Sequence, residues 1–233
     1  MGPSLRLGKI FGIPVEVNIS WILVFLLLTY LLASEFEDAR LRWPAVQRWS
    51  VAMVTVVLFF LSVLVHELSH SVMALSKGIP VRGINLFIFG GVSRLDKEPD
   101  RPLMEFMIAS VGPLISIVLA VVLGGIWLLL GRGDSPVEVV LVLLMWTNLS
   151  LGVFNLVPGY PLDGGRLLRA GIWGLTGNHR KATRIASGIG LLVGGAMLLG
   201  GISLAVFLEP VDGVWLAIVG AFLFSMAKSS FPR

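Results

Sequence analysis

The 233-residue chain is 56% hydrophobic and only 14% charged, against about 45–50% and about 25% in an average soluble domain, so lipid is the expected solvent for most of its side chains. It has no cysteine, which excludes disulfides and thiolate ligands and leaves His and carboxylate to hold any metal. The net charge of +4 falls in loops that flank apolar runs, where it reads as a topology signal rather than a nucleic-acid footprint.

In chain order, the strand-like KIFGIPVEVN comes first, followed by an apolar run at Ile19 to Ala33. Arg6 and Lys9 lie too far upstream for a signal peptide, so the run reads as a retained span. Five further spans are expected at Val51 to Ser76, Phe106 to Leu130, Val137 to Val157, Ile185 to Leu208 and Val211 to Ala227. The first and last are short against the about 20 residues that cross a hydrocarbon layer. The expected fold is a membrane all-α bundle of about six transmembrane helices with a small membrane-associated β segment, forming one domain over residues 1–233.

Span two contains HELSH, His66 to His70. At about 100° per residue the two His lie roughly 40° apart on one helix face, so both imidazoles can meet one metal while Glu67 reaches water beside it. The pattern is short and arises by chance in soluble helices. Within a span, ionisable groups are costly and generally functional, which favours a metal site.

Two segments interrupt the helical pattern. GINLFIFGGVSRL is β-branched and aromatic with a Gly pair, and NLVPGYPLDGG is too rich in Pro and Gly for continuous helix. Irregular backbone at membrane depth survives beside protein or water, so both segments point to a cavity. Two His leave zinc short of ligands. His179, in GNHRKATR, reads as a solvated loop residue, and Glu105 and Glu138 read as span-end residues that snorkel to the interface. Asp163 remains, either as a carboxylate aimed inward or as an ordinary Asp-Gly turn.

Of the 18 Lys and Arg, 14 fall at the two termini and in the loops after spans two and four. The opposite side holds Arg40, Arg42, Arg48 and Arg132, so both termini are expected in the cytoplasm.

HELSH at 66–70 together with NLVPGYPLDGG at 155–165 resembles the signature of the site-2 proteases, intramembrane zinc metalloproteases. The likeness takes in Gly112 and Pro113 and the FGGVSRL segment, and runs from about Lys9 to the end. It implies one zinc ion per chain held by His66, His70 and Asp163, with Glu67 as general acid and base and Asn155 assisting at the substrate carbonyl. It also implies a prokaryote-like cell-membrane enzyme that cleaves single-pass transmembrane substrates. Six-helix members often continue into a cytoplasmic pair of cystathionine-beta-synthase-type domains. This chain stops six residues beyond Ala227 and reads as a shortened or a short member.

Zinc-assisted amide hydrolysis is the expected reaction. Asn155 has a second reading as an interhelical hydrogen bonder, as does Asn148 two turns earlier. A transmembrane substrate must unwind before its carbonyls are reachable, and an edge strand offers replacement hydrogen bonds. The segment Ile84 to Ser93 is expected to supply that edge, with Asn85, Leu86, Phe87, Ile88, Phe89, Gly90 and Gly91 as the substrate-binding residues and KIFGIPVEVN pairing on its other side; the other reading is a plain interfacial hairpin with no substrate role. A metal transporter would line a route to both faces, whereas the ionisable groups here cluster towards one. An inactive scaffold would gain nothing from Glu67 beside the metal.

Overall fold

A computed structural model describes residues 4–38, 43–88, 90–131 and 133–232. Among the described residues six helices are long and apolar enough to cross a membrane. They are α1 (Ile19–Asp38), α2 (Ala45–Ser76), α3 (Pro102–Leu130), α4 (Pro136–Asn155), α6 (His179–Phe207) and α7 (Pro210–Ser229), with the short amphipathic α5 (Asp163–Thr176) between α4 and α6. The chain is an integral membrane protein of the expected class. The first span runs beyond Ala33 because SEFED, although polar, contains good helix formers. Arg40, Arg42, Arg132 and Arg233, used above for orientation, lie outside the described residues.

Contacts divide the chain into two compact units, Met1–Lys97 with Leu114–Val153, and Glu98–Pro113 with Phe154–Arg233. In the first unit a four-stranded sheet has the order β1 (Ser4–Ile10), β2 (Ile13–Asn18), β3 (Val81–Phe87), β4 (Gly90–Leu95). The two hairpins β1–β2 and β3–β4 are antiparallel, and β2 runs parallel to β3 with Val15, Glu16 and Val17 opposite Ile84, Asn85 and Leu86. Alternation on the inner strands sends Ile13, Val17, Ile84 and Leu86 into a core with Val63 of α2. Glu16 ties three strands together, accepting from Arg6 Nε at 3.2 Å and Arg94 Nη2 at 3.0 Å. The upper part of α2 packs on α1 through Val24, Val56 and Phe60, with Trp21 tilted on Phe60 at 4.8 Å, and through Ala33, Phe36, Val51 and Ala52.

The segment Ile84 to Ser93 is not one strand with a free edge. It folds back as the β3–β4 hairpin, and at Asn85 and Leu86 the backbone of β3 is paired on both sides. Phe87 pairs with Gly90, Ile88 lies in the turn, and Phe89 lies outside the described residues. Gly90 and Gly91 begin β4, the outer strand, which pairs on one side only among the described residues. The expected edge therefore moves from β3 to β4.

In the second unit α6 and α7 approach closely where Gly194 and Gly201 face Gly220 and Gly213, the small-residue packing that lets helices associate without a hydrophobic drive in lipid.

Candidate metal centre

Within the first unit, α2 presents His66 and His70 one turn apart, both buried, with ring centroids 4.9 Å apart and edge-to-face. Their Nε2 atoms lie 3.3 Å from one another. Zinc–nitrogen bonds of about 2.0–2.1 Å at tetrahedral angles separate two nitrogens by roughly 3.3 Å. The pair therefore has the spacing that zinc demands. His66 Nδ1 lies 2.9 Å from Ser116 Oγ on α3, so the ring's other nitrogen has its own partner and its orientation is fixed.

Glu67 is half-buried on the adjoining face. Ser93 of β4 donates from Oγ to Glu67 Oε2 at 2.9 Å and lies the same distance from the Glu67 backbone carbonyl. Ser71, fully buried, donates to Ser93 Oγ at 3.1 Å. Gly91 lies against the Glu67 side chain so closely that a Cβ would overlap Glu67 Cγ, which accounts for the second glycine of the pair.

In the second unit, α4 ends at Asn155, which is half-buried. A loop with a cis Tyr160–Pro161 peptide leads to Asp163, buried in the first turn of α5. Side chains at Gly164 and Gly165 would overlap the Leu156 and Gly159 backbone, so the LDGG run lets this loop fold back onto the helix it precedes.

Three sequence readings are corrected. Glu105 does not snorkel. It is fully buried, and its Oε1 accepts from Arg169 Nε at 2.7 Å and Nη2 at 2.5 Å. Glu138 does not reach out to water either: it folds onto the loop before α4, accepting from the Gly133 and Ser135 amides at 2.9 and 3.1 Å and from the Ser135 hydroxyl. His179 is no solvated loop residue but the first residue of α6, half-buried, edge-on to Trp173 at 4.7 Å and 3.8 Å from Glu98. Arg169 lies 5.1 Å from the Tyr160 ring centroid, and burial pushes that phenol above its ordinary pKa, so the guanidinium meets a neutral ring. Asn148 is fully buried and donates from Nδ2 to Ser62 Oγ at 3.0 Å and the Leu144 carbonyl at 2.8 Å, which is the interhelical role.

Ser116, Ser93 and Ser71 were not singled out from sequence. Each is a small polar residue in an apolar or β-rich context, and a bond to a residue 50 or 26 positions away leaves no local signature.

The sequence profile of Peptidase family M50 matches residues 54–137 and 133–200. A provisionally named zinc metalloprotease of Synechocystis sp. is 38% identical over 99% of this chain and 60% of its own length. A zinc metalloprotease of Methanocaldococcus jannaschii is 36% identical over 87% of this chain and 55% of its own. The chain thus spans about 60% of the length of the first of these curated relatives. The solved structure of a site-2 protease from Methanocaldococcus jannaschii matches with a TM-score of 0.67 and 31% identity, over 99% of this chain and 96% of that one.

The buried ion pair in the second unit gives a stability test. Arg169→Ala leaves Glu105 buried without its cation and is expected to lower stability by about 3–5 kcal/mol. Arg169→Met combined with Glu105→Met is expected to recover most of it. Thermal unfolding in detergent reads both, and a loss below about 1 kcal/mol would mean that water solvates Glu105.

Proposed function

The chain belongs to Peptidase family M50, the site-2 proteases, and on that premise we propose that it is an intramembrane zinc endopeptidase acting on transmembrane protein substrates. The observation that carries the proposal is the buried His66 and His70 pair, whose Nε2 atoms have the spacing of two zinc ligands. His66, His70 and Asp163 are each buried and are of the two donor types, imidazole and carboxylate, that a cysteine-free chain can offer zinc. With Nδ1 donating to Ser116, His66 keeps its Nε2 lone pair for the metal.

Zinc, when bound, supplies Lewis acidity that acidifies water and polarises a carbonyl. Glu67 takes the proton from the attacking water and returns it to the leaving amine. Asn155 donates an amide hydrogen to the oxygen of the scissile carbonyl as negative charge builds there. Both termini lie in the cytoplasm, and His70, six residues before Ser76, sits roughly 9 Å from that end of α2, within reach of cytosolic water.

The substrate unwinds and adds as a strand to the open edge of β4, beginning at Gly90 and Gly91. Val92, exposed on β4, faces away from the Ser93 and Glu67 contact.

Two experiments test these parts separately. Purified protein is expected to hold one zinc per chain, lost in His70→Ala and Asp163→Ala. Glu67→Gln is expected to keep zinc while cleavage falls by about 10²–10⁴-fold. Full zinc in Asp163→Ala would remove that ligand, and undiminished cleavage by Glu67→Gln would remove the base. For the edge, Val92→Cys in the otherwise cysteine-free chain is expected to form disulfides with single cysteines stepped through a substrate at every second position. A period near four would show that the substrate binds as a helix.

A further inference from the structure

The contact between β4 and α2 carries more than packing. Resting on the reading of Glu67 as the proton acceptor, we propose that Ser93 is a positioning residue that holds the Glu67 carboxylate in its reactive orientation, with Ser71 setting the direction of the Ser93 hydroxyl.

Three observations build the case. One Ser93 oxygen lies 2.9 Å from both the Oε2 and the main-chain oxygen of Glu67, and its single hydrogen, given to Oε2, ties the free end of that side chain to β4. A glutamate is otherwise among the side chains with most rotamer freedom to lose. Ser71 donates to Ser93, which occupies a lone pair of that hydroxyl and leaves its hydrogen to be given onward. Of the two acceptors in reach, an ionised carboxylate takes the stronger hydrogen bond, so the proton points to Oε2. On the other side Gly91 lies against Glu67 Cγ, leaving no room for a side chain there.

The arrangement has a mechanistic consequence. Ser71 follows His70 directly on α2, while Ser93 and Gly91 lie on the strand assigned to receive substrate. The carboxylate is thus referenced both to the helix turn that carries a metal ligand and to the strand that carries the peptide. A base misplaced by an ångström loses much of its rate advantage, so this reference should appear in turnover rather than in binding.

The test uses the full chain in detergent or liposomes with a cleavable transmembrane substrate. Ser93→Ala is expected to lower kcat by about 10–100-fold, with KM within about two-fold and zinc content unchanged. Ser93→Thr, which keeps the hydroxyl, is expected to restore kcat to within about three-fold. Ser93→Cys keeps the size but donates weakly and is expected to resemble Ser93→Ala. Ser71→Ala on top of Ser93→Ala is expected to add nothing, because the two act through one hydrogen-bond chain. Wild-type kcat in Ser93→Ala or Ser93→Cys, a change confined to KM, or equal losses in the Ala and Thr variants would overturn the assignment. Should Ser93→Ala lose its fold or its zinc, the Thr and Cys comparison decides alone. A failure of Glu67→Gln to lose cleavage would instead overturn the functional reading on which the assignment rests.

Discussion

Two imidazole nitrogens 3.3 Å apart inside an apolar helix repel through their lone pairs unless a proton or a cation lies between them. Burying such a pair in a span costs free energy that Leu or Val at the same positions would not. Much else in the first unit can be understood as holding that pair in place. Ser116 orients one ring through its far nitrogen, α1 packs on the upper turns of α2, and the sheet packs on Val63, one turn before His66. Rigid supports of this kind let a metal-binding geometry persist before the metal arrives.

The sheet is attached to the same helix by polar contacts as well as by its core. Its inner strands bury Ile84 and Leu86 against α2, while its outer strand sends Ser93 to Glu67. A strand edge in a membrane protein is a liability, since unpaired backbone groups are costly in lipid and invite association. An enzyme that must hold an unwound helix has a use for such an edge, and placing it one side chain away from the proposed base joins substrate capture to chemistry. The second unit solves its own burial problem differently. Glu105, with no exposure, is matched by the two-point contact of Arg169, which leans on the neutral Tyr160 ring.

The features legible in the sequence were those with a local period or composition. The six spans followed from apolar runs and their charged boundaries, and HELSH from a spacing that repeats one helix turn. The break before Asp163 followed from the clustering of Pro158, Gly159 and Pro161, since each proline removes a backbone donor and the cluster disfavours helix. Ile84 to Ser93 left a single edge strand and a hairpin both open, because β-formers run on either side of the Gly pair and the pairing partners that separate one strand from two lie elsewhere in the chain. Glu105, Glu138 and His179 were misread for a related reason. A lone charged residue at a span end defaults to the interface; Arg169 alters that outcome for Glu105 from 64 positions away, whereas Ser135 and Trp173 are sequence neighbours of Glu138 and His179 and act through local backbone geometry. Ser116 and Ser93 belong to the same class, as their meaning lies entirely in distant partners.

The central claim is that the paired imidazoles of α2 serve a zinc ion, and X-ray absorption at the zinc K edge of the purified protein addresses it most directly. A four-coordinate nitrogen and oxygen shell at about 2.0–2.1 Å with the outer-shell scattering of two imidazoles is expected, reduced to one imidazole in His70→Ala. An oxygen-only shell, or a wild-type spectrum carrying no imidazole scattering, would contradict it.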